Sequence, residues 1–165
     1  MVRSTVTLRF TALPAHVRTA RFVATAVARR AGLPESLLDE VRLAVSEACS
    51  LAVRAHQRHA PAVPVEVRLS DDGKTFCVEV QDAVPRTGRA VVQPPSGRPN
   101  ANAAAARAVL GLDGAEGLTD VDDPATREQL GLAVIAGLVD DLRVEYGPAG
   151  AVISLRWPAA EGVAE

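Results

Sequence analysis

Five segments of this 165-residue chain alternate apolar and polar residues with a period of two, so each has one dry face and one wet face and reads as a half-buried β-strand. In the first, Val2, Val6, Leu8 and Phe10 alternate with Arg3, Thr5, Thr7 and Arg9. Val65, Val67 and Leu69 repeat the pattern, as do Phe76, Val78 and Val80, and the intervening Asp71-Asp72-Gly73-Lys74 holds an Asp-Gly pair that suits a hairpin turn. A second hairpin closes the chain, with Leu142, Val144 and Tyr146, the turn Gly147-Pro148-Ala149-Gly150, and Ala151, Ile153, Leu155 and Trp157.

The remaining segments have helical spacing. Pro14 opens a helix through about Ala31, with Val17, Phe22, Val23 and Val27 expected on one face and Gly32 as the left-handed stop. Pro34-Glu35 starts a second helix whose stripe of Leu37, Leu38, Val41, Val45, Ala48 and Ala52 runs towards Gln57, before Pro61 ends it. A third is expected from about Arg127 to Val139. Three helices that need a surface to cover, and a sheet with one dry face, pack most economically as an α/β (α+β) two-layer sandwich of one mixed, mainly antiparallel sheet and one helical layer.

Length gives a single domain, taken here as residues 1–158, with 159–165 as a flexible tail. Between Ala83 and Glu128 lies a stretch rich in Gly, Pro, Ala and Asp, with one short helix expected from Asn100 to Leu110. A connection that long inside a small domain is usually functional, and its Val109, Leu110 and Leu112 suit a lid that folds onto the body.

Composition removes several classes of function. The 18 basic and 20 acidic residues leave a net charge of −2, against direct nucleic-acid binding. The longest apolar run, Leu130 to Val139, is half of the roughly 20 residues that a membrane span requires. Cys49 and Cys77 lie far apart without C-x-x-C spacing, and Met1-Val2-Arg3-Ser4 has no apolar signal core, so a reduced cytoplasmic protein is expected. P-loop and G-x-S-x-G motifs do not occur. Cys49, His56 and His59 can be drawn as metal ligands, but a closed zinc site wants a fourth, and the expected metal set is none. The cluster Arg54, His56, Arg58 and His59 reads as a solvated helix end.

The second helix is the informative one. At about 100° per residue, Glu40, Glu47, Leu51 and Arg54 fall on one shoulder beside its apolar stripe. Its run Leu43-Ala44-Val45-Ser46-Glu47-Ala48-Cys49 resembles the start of the N box in the histidine-kinase and Hsp90-like ATPase fold, and more narrowly in the anti-sigma-factor, serine-protein-kinase branch. Gln129-Leu130-Gly131-Leu132 resembles that family's second glycine box, G-L-G-L, and the element order matches over almost the whole chain.

The resemblance implies Glu47 at the general-base position, Asp82 where the family binds the adenine amino group, and Gly131 and Leu132 at nucleotide positions. Read alone, Asp82 is equally a strand-end turn residue bonded to local amides. Three departures oppose nucleotide binding. Leu51 replaces the family's magnesium-ligating Asn and has no oxygen to offer, Asp82-Ala83-Val84-Pro85-Arg86 lacks both glycines of D-x-G-x-G, and Gln129 replaces a glycine of the second box. Asp120, Asp122, Asp123 and Glu128 add negative charge before the third helix. The expected cofactor is therefore none, or weak Mg-ATP. The resemblance also implies the partners: a sigma factor, an anti-anti-sigma protein, or both, with a possible homodimer. The alternative is an active ATP-dependent protein-serine kinase acting on an anti-anti-sigma antagonist.

Overall fold

A computed structural model describes residues 4–86 and 123–159 of the chain. Strand β1 spans Ser4–Phe10, helix α1 Pro14–Arg30, helix α2 Glu35–His59, strand β2 Val65–Asp71 and strand β3 Thr75–Gln81. Helix α3 spans Pro124–Ala136, strand β4 Asp141–Gly147 and strand β5 Gly150–Pro158. The short helix expected over Asn100 to Leu110, Asp120, Asp122 and most of the lid-like segment lie outside the described residues.

The five strands form one sheet in the order β1-β2-β3-β5-β4, antiparallel throughout. The final hairpin reverses the last two strands in space, placing β5 inside and β4 at the edge. Their residues suit those places. The inward Ala151, Ile153, Leu155 and Trp157 of β5 are buried, whereas Arg143 and Glu145 of β4 are exposed, as edge strands that resist pairing with other chains require. The open face carries a mosaic of ion pairs, including Arg9 with Glu66 at 2.9 Å and Arg68 with Glu79 at 3.6 Å. In high dielectric such pairs keep the face soluble and add little stability.

On the other face, α2 is the central core element. Leu38, Val41, Val45, Ala48, Cys49, Ala52 and Val53 are buried, as the apolar stripe predicts. Helix α1 meets it through Val17, Ala20, Ala24 and Ala28. Phe22 departs from the expected face: it is 53% exposed and flanked by the guanidinium groups of Arg18 and Arg21 at 5.6 and 5.5 Å from its ring. Five residues from Val17 is 140° of helical rotation, which turns Phe22 away from the core. The core is largely aliphatic, yet its two largest fully buried side chains are Trp157 and Phe76, stacked at 6.1 Å. The Trp157 indole N–H donates to the Leu138 carbonyl at 3.0 Å, so its one polar atom is satisfied. Ala159, at the start of the expected tail, is buried and donates its N–H to the Lys74 carbonyl at 2.8 Å.

Helix α3 begins at Pro124 rather than near Arg127, because Asp123 caps it: its carboxylate accepts from the Thr126 N–H at 3.1 Å, and Pro124 stands at the first helical position. The helix lies along α2, where Gly131 permits a close approach. A β-carbon at Gly131 would meet Leu51 Cδ2 at 3.1 Å and its Cδ1 and Cγ at 3.3 Å.

This packing makes positions 51 and 131 energetically dependent on each other. Leu51→Ala is expected to cost about 2–4 kcal/mol. Gly131→Ala should yield the roughly 1 kcal/mol of helix propensity only in the Leu51→Ala background, with Leu51 opposing that gain in the parent chain. Urea unfolding of the four proteins measures the coupling, and additivity within about 0.5 kcal/mol would refute it.

Candidate functional site

On the shoulder of α2 that holds Glu40, Glu47, Leu51 and Arg54, Leu51 packs against α3, Glu40 stands by Asp140 in the turn beyond it, and Arg54 borders an open pocket at the end of the helix pair. Leu51 is buried against Gly131. Gly131 itself lies seven residues inside α3, so its N–H belongs to the helical ladder and does not face a ligand. Leu132 is buried in the core. Glu47, one turn before Leu51, is half-buried and makes no hydrogen bond or ion pair among the described residues. Two turns earlier, Glu40 stands beside Asp140; partial burial, and then the Asp140 charge, push its carboxyl above the usual range.

Asp82 follows the end of β3, next to Ala83, whose N–H is bound by His56 of α2. Its carboxylate is only 5% exposed, and a buried carboxylate must find hydrogen-bond donors. Oδ1 accepts from the Val84 N–H at 3.0 Å and from the Ala151 N–H of β5 at 3.2 Å, while Oδ2 accepts from Arg86 Nη1 at 2.8 Å. Three of its roughly four lone-pair directions are thereby used within the chain. The turn reading of Asp82 is what the local bond to Val84 shows, extended by two contacts that the sequence does not reveal.

The two positions that hold glycine in D-x-G-x-G carry side chains that fill space here. Val84 is buried, and Arg86 spans three elements. Besides Asp82, its guanidinium lies 3.7 Å from Glu128 Oε1 on α3 and 5.2 Å above the Tyr146 ring on β4. The Tyr146 hydroxyl in turn donates to Glu128 Oε1 at 2.7 Å. Burial, and then this bond to Glu128, raise the Tyr146 phenol well above its usual range. Burial alone would lower the Arg86 pKa, but the hydrogen bond and charge of Asp82, with Glu128, raise it overall. The spacing of four between Asp82 and Arg86 was the one sequence signal for this network; Tyr146 had none.

Backbone contacts hold the same segment in place. The Asp82 N–H donates to the Ala151 carbonyl at 3.0 Å and the Arg86 N–H to the Gly147 carbonyl at 3.2 Å. Gly150, at φ +127°, passes so close that a β-carbon there would overlap the Asp82 carbonyl oxygen.

His56 corrects the expected solvated helix end. It is fully buried, with Nδ1 2.7 Å from the Val63 carbonyl and Nε2 accepting from the Ala83 N–H at 2.8 Å. A carbonyl can only accept and an amide N–H can only donate, so these partners select the neutral tautomer protonated at Nδ1. Both ring nitrogens are engaged, which leaves neither for a metal. Cys49 is buried in the core, where loss of water pushes its thiol up to about 12. Among the described residues no group of three or more His, Cys, Asp or Glu side chains could hold a metal ion, and no helix is long and apolar enough to cross a membrane.

With α2 and α3 layered on an antiparallel sheet, the architecture is that of a histidine kinase-like ATPase domain. This family matches residues 10–157, and the chain belongs to it. No curated protein sequence matches the chain.

Removing the Arg86 side chain leaves the buried Asp82 Oδ2 without its donor. Arg86→Ala is expected to cost about 2–3 kcal/mol, a fall of roughly 5–10 °C in Tm for a chain of this length, with Arg86→Lys recovering only part; an unchanged Tm would show that Asp82 does not rely on the pair. At Glu40 the raised carboxyl means that the folded state holds its proton more tightly than the unfolded state. That ionisation therefore lowers stability as pH rises through the carboxylate range. Glu40→Gln should raise Tm near neutrality, and the advantage should vanish below the carboxylate range in a pH series of thermal melts.

Proposed function

We propose that this chain is a regulatory protein of the anti-sigma type. It binds a sigma factor, an anti-anti-sigma protein, or each in turn as a partner switch, and has lost the nucleotide on which active relatives rely. The observation that carries this reading is Leu51 packed against Gly131 in the middle of α3. At the position where the family resemblance implies a magnesium ligand there is an aliphatic side chain in van der Waals contact with a neighbouring helix. Where it implies a glycine backbone turned towards phosphate there is a closed helical ladder. Asp82, the implied adenine contact, spends its carboxylate on Val84, Ala151 and Arg86. These residues do not fit a magnesium-bound nucleotide.

In this reading the protein works by holding a partner rather than by chemistry. A domain braced by the Arg86 network and the Leu51 contact offers a rigid surface, so little ordering cost is met on association.

A second reading rests on Glu47. It retains a half-buried carboxylate with no hydrogen bond among the described residues at the base position, which favours the active protein-serine kinase with an unusual ligand set. Thermal unfolding with millimolar Mg-ATP and Mg-ADP separates the two. A ligand present at 100 times its Kd adds about 2.7 kcal/mol, or roughly 5–11 °C in Tm at this chain length. No shift is expected, together with saturable pairwise binding to a sigma factor or anti-anti-sigma protein. A clear shift, with a phosphotransfer to such an antagonist that Glu47→Ala abolishes, would replace the binding reading with the kinase.

A further inference from the structure

Two buried polar side chains fix one corner of the fold. His56 donates from Nδ1 to the Val63 carbonyl at 2.7 Å and accepts the Ala83 N–H at Nε2 at 2.8 Å, which ties the segment before β2 to the segment after β3. Asp82 accepts from the Ala151 N–H at 3.2 Å, and Gly150 passes close against the Asp82 carbonyl, so the β4–β5 turn is tied to the same point. Among these three segments lies an open cavity of about 210 Å³. Val63, Pro64, Ala83 and Ala149 give it apolar walls, at least one from each segment. Val63 is 40% exposed, a large apolar side chain that the core does not use.

The polar side of the cavity is Arg9, Glu66 and Gln81, cross-strand neighbours on the open face of the sheet. Arg9 Nε lies 2.9 Å from Glu66 Oε2, and Arg68 Nη2 lies 3.3 Å from Glu66 Oε1. An anion entering here meets the Glu66 charge and a cation meets Arg9, so the cavity suits a neutral guest. Gln81 is exposed, and its side-chain amide has no hydrogen-bond partner among the described residues. It therefore offers a donor and an acceptor together. Asp82 also borders the cavity, but its carboxylate is bonded to Val84, Ala151 and Arg86.

We infer that this cavity binds a phenol, with the ring among the apolar walls and the hydroxyl bonded to the Gln81 amide. A cavity of about 150 Å³ takes benzene, so one of 210 Å³ admits a ring with a small substituent. Pockets for larger small-molecule ligands begin near about 300 Å³. The planar guanidinium of Arg9 at the wall favours an aromatic face over an aliphatic ring. A hydroxyl both donates and accepts, and so matches the amide in either orientation. Because the bonds of His56 and Asp82 already hold the walls, little ordering is needed when the guest enters. The polar wall belongs to the sheet face away from Leu51 and Gly131, and the assignment does not depend on the partner-binding reading.

Titration of the ¹⁵N-labelled protein with p-cresol tests this. Saturable shifts in the millimolar range are expected for the amides of Val63, Glu66, Gln81, Ala83 and Ala149. Gln81→Ala should weaken binding about fivefold through the lost hydrogen bond, and Ala149→Leu, which puts a larger side chain at the cavity wall, should abolish it. Both positions are exposed, so amide shifts away from the cavity should be unchanged in the variants. N-acetyl-tyrosinamide in a second arm distinguishes the source. Binding at least as tight as that of p-cresol assigns the ring to a tyrosine of another protein, and weaker binding to a free phenolic molecule. No saturable response to p-cresol, a response that survives Ala149→Leu, binding undiminished by Gln81→Ala, or equal binding of cyclohexanol would overturn the assignment.

Discussion

A carboxylate buried at the end of β3 has to be satisfied, and much of the lower half of this domain is arranged around that requirement. Asp82 is nearly inaccessible to water, so its donors must come from the chain. They come from three directions: the segment that follows it, the Ala151 amide near the start of the inner strand β5, and the guanidinium of Arg86. The β4–β5 turn can approach only because position 150 is glycine. Arg86, held by Asp82, is then placed over Tyr146 and beside Glu128, which joins α3 and β4 to the same point. His56 supports the arrangement from α2 by fixing the Ala83 amide.

The histidine kinase-like ATPase architecture thus carries, at the positions the resemblance singles out, side chains engaged with the chain itself. Where the resemblance implies an Asn and two glycines, the chain has Leu51, Val84 and Arg86, and each fills space with its own contacts. The result is a braced platform.

Periodicity made the strands and helices legible, and motif spacing pointed to Glu47, Leu51 and Asp82. The expected face of α1 failed at Phe22 because one apolar residue was assigned by type rather than by angle. The start of α3 at Pro124, rather than near Arg127, is legible in Asp123-Pro124, which pairs a capping carboxylate with a proline at the first helical position. His56 was misread because an imidazole among arginines looks solvated until its two backbone partners, from segments far apart in sequence, are seen.

Local patterning alone determined which residues alternate, which share a helix face and where the turns fall, since those depend on neighbours within a few positions. Membership of the two-layer class followed from the same information. Only the tertiary structure decided that β5 lies inside β4, that Leu51 seats on Gly131, and that Asp82 is bonded to Val84, Ala151 and Arg86. Such outcomes depend on which distant atoms compete for the same space and the same lone pairs, and a one-dimensional pattern carries no record of that competition.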